Sequence, residues 1–161
     1  MTAGGLHPNS SRVVEAAAAA GVVIEVVRFP EGTRTAEDAA AAIGCDVAAI
    51  VKSLVLVSDD GPVLALVSGR NRVDYGKVGA ALRVKGVHRA DAGTARAATS
   101  FPIGGTAPFG HPAPLPTVLD RDLLTLGEVW AAAGTPDAVF AVAPATLRDA
   151  TGAAVADVAE R

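Results

Sequence analysis

The sequence is poor in cysteine and has no long apolar run. Cys45 is the only cysteine among 161 residues, so it cannot form a disulfide within the chain and has no partner cysteine for a zinc site. This usage is typical of a reducing cytoplasm, and the residue is expected more as a small buried side chain than as a reactive thiol. The apolar runs stop well short of the roughly 20 residues that cross a bilayer. No membrane partner is expected.

Aromatic residues are also scarce, at 4% of a chain that is 50% hydrophobic. The core must therefore be built mainly from alanine, valine, leucine and isoleucine. This composition is typical of a folded globular protein, and the length suits one domain. The start of the chain lacks the basic and apolar pattern of an export signal. We expect a flexible tail over residues 1–11 and a single domain over residues 12–161.

Charge is distributed unevenly along the chain, whose formal net charge is −3. Residues 70–96 carry seven basic and two acidic side chains, a net charge of +5, and the remainder carries seven basic and fifteen acidic side chains, a net charge of −8. Such a stretch can form a basic face for a polyanion. On charge alone, an ordinary solvated helix surface is the favoured interpretation.

Periodicity, caps and turn residues predict a mixed α+β domain with a largely antiparallel sheet. Helices are predicted from Ser10 or Ser11 to Ala20 and over residues 36–43, 74–82, 91–98 and 144–150. Thr35 is the expected N-cap of the second helix and Gly44 its stop, and Asp74 and Asp91 stand at the starts of the third and fourth. Strands are predicted over residues 22–29, 50–57, 62–68, 84–88, 117–119, 128–132, 138–142 and 154–158. The second and third strands form the clearest hairpin because a Ser-Asp-Asp-Gly turn separates them. The proline- and glycine-rich residues 99–116 are a long ordered loop or a linker.

Lys52 stands alone in the apolar stretch IVKSLVLV. Because side chains alternate along a strand, Lys52 shares one face with Leu54 and Leu56, and both faces of the strand are apolar. The ammonium must either reach water along its own methylenes or sit in a cleft, where partial desolvation lowers a lysine pKa. A lysine in a cleft can neutralise developing negative charge.

A second candidate is the run of small residues from Gly104 to Gly110. Its backbone N–H groups can point into a cavity and bind a carbonyl oxygen, a ribose or a phosphate. It fits neither the phosphate-loop nor the dinucleotide pattern, and glycine pairs near prolines are also ordinary turn material.

Other catalytic arrangements are not indicated by the sequence. His7, His88 and His111 lack the spacing of a metal site. There is no GxSxG elbow. Asp59-Asp60 is interpreted as a solvated turn, and Trp130 as a packing residue.

Five segments, taken in order, resemble the YbaK-like family. They read TAEDAAAAIGCDVAAIVKSLVLVSDDGPVLALVSG, VDYGKVGAAL, GGTAPFG, PTVLD and AAAG. That family comprises freestanding aminoacyl-tRNA deacylases and the editing domain of bacterial prolyl-tRNA synthetases. The resemblance implies a compact α+β domain with a barrel-like mixed sheet and flanking helices. It also implies hydrolysis of the ester that joins a wrong amino acid to tRNA, without a metal or an organic cofactor.

The resemblance implies site residues as well. Lys52 occupies the place of the family's key active-site lysine. The substrate-binding positions implied are Phe29, the loop residues Gly104, Gly105, Thr106, Ala107, Pro108, Phe109 and Gly110, and Asp120 and Gly134. The family commonly has Thr-Gly before the loop where this sequence has Thr99-Ser100. Ser100 lacks the freedom of glycine to adopt positive φ, so the loop's entry departs from the pattern.

Under this resemblance the basic stretch has a use. Its side chains would contact acceptor-stem phosphates without reading bases; the expected residues are Arg70, Arg72, Lys77, Lys85 and Arg89. The expected substrate is tRNA(Pro) carrying cysteine, alanine or another small residue, with prolyl-tRNA synthetase as a partner and no DNA. The attacking group remains open between water, with or without help from a ribose hydroxyl, and the substrate's own thiol when the amino acid is cysteine. A noncatalytic module binding an aminoacyl-adenosine end, a nucleotide or a synthetase, and a hydrolase of small esters, are the alternatives.

Overall fold

A computed structural model describes residues 5–29 and 35–161. This part of the chain holds five helices and eight strands. The helices are α1 (Pro8–Ala19), α2 (Ala36–Ile43), α3 (Tyr75–Leu82), α4 (Ala92–Thr99) and α5 (Pro144–Thr151). The strands are β1 (Val26–Arg28), β2 (Val51–Ser58), β3 (Gly61–Ser68), β4 (His88–Arg89), β5 (Thr117–Asp120), β6 (Val129–Ala132), β7 (Ala138–Val142) and β8 (Ala154–Ala156). Short 3₁₀ turns cover Val47–Ala49 and Arg121–Thr125. No helix in the described ranges is long and apolar enough to cross a membrane.

The strands form two sheets. The larger has the order β4-β2-β3-β5-β8, and the smaller has the order β1-β7-β6. Four pairings are antiparallel, whereas β3 with β5 and β5 with β8 are parallel. A bridge between Ile50 and Trp130 joins the sheets. The predicted mixed, largely antiparallel α+β fold is confirmed, and the barrel-like arrangement is open rather than closed.

The predicted hairpin is confirmed as β2 and β3, which pair along their full length with Lys52 opposite Val67. The Ser58 hydroxyl donates to the carbonyl of Gly61 at 2.9 Å across the turn. The register fixes the side of the sheet that each residue faces. It therefore fixes the direction of Lys52.

Both apolar faces of β2 are covered in the structure. Val51 and Val55 belong to a core that includes Phe140 of the smaller sheet. Leu54 and Leu56 pack on the opposite side, in a core that includes helix α3. Lys52 therefore emerges on the α3 side.

The helix starts follow the predicted caps. The side chains of Thr35, Asp74 and Asp91 each accept a hydrogen bond from a backbone N–H in the first turn of α2, α3 and α4. Gly44 closes α2 in the left-handed conformation, with φ of 85°. These caps were predictable because they depend only on local sequence.

Four strands are shorter than predicted. Those expected over residues 128–132 and 154–158 lose one and two residues at an end, and the other two differ more. The strand expected over residues 22–29 pairs only over Val26–Arg28, because the N–H of Val22 is still bonded to Ala17 at the end of α1. The strand expected over residues 84–88 is instead His88–Arg89. The positive φ of Gly86, 71°, places a turn where that strand was expected to run.

Helix α1 begins earlier than predicted. It starts at Pro8 with His7 as its cap, so residues 8–11 of the expected tail are helical. The ring of His7 accepts from the N–H of Asn9 at 3.0 Å. Proline suits this first position because its missing N–H is not needed there. Residues 1–4 lie outside the described ranges.

Candidate functional site

A cavity of about 810 Å³ opens at one edge of β2. This strand pairs with β3 throughout, but on its other side it pairs with β4 only at Leu56 and Val57. Between β4 and the bridge at Ile50, none of the described strands pairs with this edge of β2. The cavity lies at this gap and is completed by the starts of α2 and α4, the glycine loop and β6. Exposed strand edges are sites where ligands can meet backbone groups.

Lys52 lines this cavity and is half-buried. Its Nζ donates a hydrogen bond to the carbonyl oxygen of Asn71, in the turn that follows β3. The ammonium is thus tethered within the protein beside the cavity and does not extend freely into bulk solvent.

The surroundings of Lys52 lower the pKa of its ammonium group. Burial lowers the pKa of Lys52 below its ordinary value of 10.5. Among the nearby charges, Glu37 has the largest effect and raises the pKa of Lys52. Arg72 lowers this pKa further, and Asp120 raises it. Desolvation is the largest cause, as expected for a cation in an apolar setting.

Two members of the glycine loop, Gly104 and Thr106, line the same cavity. The N–H of Gly105 is already bonded to the carbonyl of Pro102 at 3.0 Å, and Pro108 has no N–H. Lys52 and this loop therefore share one recess, and within Gly104 to Pro108 the residues at the cavity wall are Gly104 and Thr106.

The rest of the loop is packed into the protein, so it is not a linker. Ala107 and Pro108 are buried. The ring of Phe109 lies 5.6 Å from that of Phe140, centroid to centroid. Gly110 lies against Ala16 of α1. These residues do not line the cavity and instead hold the loop in place.

Ser100 stands at the entry to the glycine loop, where the family commonly has glycine, and its backbone conformation is the one that glycine favours. It adopts the left-handed conformation, with φ of 60° and ψ of 24°, and closes α4 through its N–H to Arg96. The side chain of Arg12 donates to its carbonyl at 2.9 Å. The entry thus has the backbone shape that favours glycine, although serine occupies it.

Three residues predicted at the substrate lie away from the cavity wall. Asp120 is fully buried and accepts from the backbone N–H groups of Ser68 and Asp122. Gly134 is buried against Asn9, where a Cβ would lie 2.8 Å from the backbone. Phe29 is half-buried just after β1 and does not line this cavity.

The predicted RNA-binding side chains are not equivalent. Arg89 is exposed and lines the cavity. Lys85 is exposed in the turn before β4. The others meet carboxylates: Arg70 lies 2.6 Å from Asp46, Arg72 4.0 Å from Glu160, and Lys77 2.9 Å from Asp157.

The model of a family described as "Aminoacyl-tRNA editing domain" matches residues 30–150, more than half of the chain. The chain belongs to this family. A protein of Enterococcus faecalis named "Putative Cys-tRNA(Pro)/Cys-tRNA(Cys) deacylase EbsC" is 27% identical over 131 residues, covering 81% of this chain and 80% of that protein.

Solved structures agree with the family assignment. One, described as "a putative trans-editing enzyme for prolyl tRNA synthetase", is 46% identical with a TM-score of 0.91, covering 97% of this chain and 99% of that one. Another, of a hypothetical protein, is 31% identical with a TM-score of 0.85, covering 92% of this chain and 99% of that one.

In this aminoacyl-tRNA editing domain, several cavity residues were not predicted as site residues. They come from elements far apart in sequence and include Thr35, Ser53, Tyr75, Ile103 and Trp130. The Ser53 hydroxyl is buried and has no hydrogen-bond partner among the described residues. Ile103 is 71% exposed at the lip. Of these residues, Ser53 is the one that the sequence could have indicated, because it directly follows Lys52 on the predicted strand.

Proposed function

We propose that this protein is a trans-editing deacylase that hydrolyses the ester of mischarged tRNA, with tRNA(Pro) carrying cysteine, alanine or another small residue as its substrate. The proposal rests on one observation. Lys52, Gly104 and Thr106 line the same cavity in a chain that belongs to the editing-domain family. The names of two similar proteins, which refer to Cys-tRNA(Pro) and to prolyl-tRNA synthetase, support the choice of substrate.

The cavity suits an aminoacyl-adenosine end with a small acyl group. Its volume, about 810 Å³, lies within the range of small-ligand sites, about 300–1,000 Å³. Much of its wall is alanine; these residues are Ala36, Ala39, Ala90, Ala92, Ala95, Ala131 and Ala132. The alanine part of the wall accepts a methyl or thiol side chain, and the charged residues of the lining are Lys52, Arg89 and Asp91.

The chemistry assigned to the site is stabilisation of charge. When an oxygen or sulfur nucleophile adds to the ester carbonyl, negative charge develops on the carbonyl oxygen. Backbone N–H groups of Gly104 and Thr106 are the proposed donors to it, each worth about 3–4 kcal/mol when well placed. Lys52 supplies the positive charge. The intermediate then expels the ribose oxygen, which takes up the proton that the nucleophile gives up. The acyl group leaves the tRNA as the free amino acid when water attacks, or as a cyclic thioester when the substrate thiol attacks.

The attacking group comes from the solvent or the substrate. A serine nucleophile needs a base within hydrogen-bond reach, and the hydroxyl of Ser53 has no partner among the described residues. Cys45 does not line the cavity, and burial raises the pKa of its thiol. Water, alone or helped by a ribose hydroxyl, or a substrate thiol is therefore the proposed nucleophile.

The experiment is hydrolysis of a panel of charged tRNAs, measured against their spontaneous decay. The panel comprises Cys-tRNA(Pro), Ala-tRNA(Pro), Pro-tRNA(Pro) and Cys-tRNA(Cys), with aminoacyl esters lacking RNA alongside. The proposal expects mischarged tRNA(Pro) to decay fastest and Pro-tRNA(Pro) to be spared. Binding without hydrolysis of any charged tRNA would favour a noncatalytic module, and faster hydrolysis of small esters than of charged tRNA would favour an unrelated esterase.

A further inference from the structure

The backbone carbonyl that accepts the hydrogen bond of Lys52 belongs to Asn71. The side chain and the backbone N–H of Asn71 are themselves hydrogen-bonded. The side-chain amide of Asn71 donates to Asp120 and to Asp122, each at 2.8 Å. An amide nitrogen has two hydrogens, and here each has its own carboxylate. Its backbone N–H donates to the carbonyl of Ser68 at 2.9 Å. The turn after β3 is therefore fixed from three directions.

Asp120 is the buried end of this anchor. It has no exposed surface, and a buried carboxylate is costly unless its oxygens are bonded. Besides Asn71, it accepts from the N–H of Ser68 at 3.1 Å and of Asp122 at 2.9 Å. Asp122 in turn lies 3.0 Å from the guanidinium of Arg161. The carboxylates that hold Asn71 are themselves held by other groups.

We propose that Asn71 is the positioning residue for the lysine of the site, and that Asp120 serves as its buried anchor rather than as a substrate ligand. A lysine side chain has several rotatable bonds, so a fixed acceptor is needed to keep the ammonium beside the cavity. The backbone carbonyl of Asn71 is that acceptor, and the Asp120–Asn71–Lys52 chain of hydrogen bonds sets its place. This role rests on the proposed function of Lys52.

The test compares three variants. Asn71→Ala removes both amide hydrogen bonds, and Asn71→Asp keeps the size but replaces the donor with a third carboxylate. Asn9→Ala is the matched control, because the side-chain amide of Asn9 is also a hydrogen-bond donor, to the carbonyl of Gly134 at 3.0 Å, away from Lys52. The first readout is the NMR resonance of the Lys52 Nζ group and its titration, which needs no activity. It is expected to shift in both Asn71 variants and to stay in place in Asn9→Ala.

The second readout is kcat for charged tRNA. Asn71→Ala is expected to lower kcat by about 10-fold, as neighbouring coupled residues do, with KM little changed, and to have no further effect when Lys52 is already alanine. Asn71→Asp is expected to be at least as harmful. If an Asn71 variant does not fold, Asp122→Ala, which removes the less buried anchor, should move the Lys52 resonance in the same direction.

An unmoved Lys52 resonance in the folded variants would overturn the proposal. So would full activity of Asn71→Asp, or an equal loss from Asn71→Ala with and without Lys52. If the parent hydrolyses no charged tRNA, the proposed function fails, while the resonance still decides whether Asn71 positions the lysine.

Discussion

Gly105 rests directly on the backbone of Thr135: a Cβ at position 105 would lie 2.8 Å from both the Cα and the carbonyl carbon of Thr135. Real Cβ atoms do not approach backbone so closely. The glycine loop is therefore seated on the turn between β6 and β7. This contact determines how far Gly104 and Thr106 reach along the cavity wall.

The first prediction follows from that contact. Gly105→Ala should displace the loop, lowering the free energy of unfolding by about 1–3 kcal/mol, the usual cost of overpacking, and lowering kcat for charged tRNA. Gly127→Ala is the control, since a Cβ there meets nothing within 4 Å. Denaturant unfolding and deacylation check both. A fully active and stable Gly105→Ala would mean that the loop is not seated as described.

The second prediction separates two basic residues. Arg89 lies at the cavity and takes part in no ion pair among the described residues, whereas Lys77 is bonded to Asp157 and to the carbonyl of Ala159. Arg89→Ala should weaken tRNA binding. The slope of log Kd against log salt concentration should decrease by the amount that corresponds to about one phosphate contact. Lys77→Ala should change the slope less. Kd measured across a salt series decides, and equal slopes for both variants would refute the distinction.

The third prediction concerns the titration of Lys52. Because its pKa is lowered in the folded state, the folded protein releases this proton first as the pH rises, and the unfolded chain then binds more protons. The free energy of unfolding of the parent should therefore rise relative to Lys52→Met as the pH increases toward 10.5. Lys85→Met, at an exposed lysine, is the control. Parallel pH profiles for the parent and Lys52→Met would contradict the burial of the ammonium.

The sequence predicted features that depend on neighbouring residues. The caps at Thr35, Asp74 and Asp91 and the β2–β3 hairpin follow local rules and are confirmed. The two apolar faces of β2 could also be predicted, because side-chain alternation is fixed by the strand itself, and the structure covers both of them.

Features that depend on distant partners were not predictable. The late start of the first strand, at Val26, reflects its short register with β7. The burial of Asp120 and its bond to Asn71 join residues 49 positions apart, and Trp130 reaches the cavity through a bridge to Ile50. Nothing in the local pattern of either segment encodes such pairings.

The most direct test of the account is single-turnover hydrolysis of Cys-tRNA(Pro) by the parent and by Lys52→Ala. Arg148→Ala serves as the control, because Arg148 pairs with Asp149 on helix α5 and does not line the cavity. The account predicts a loss of about 100-fold or more for Lys52→Ala, comparable to removing a donor that stabilises developing charge, and a parental rate for Arg148→Ala. Equal rates for Lys52→Ala and the parent would contradict it.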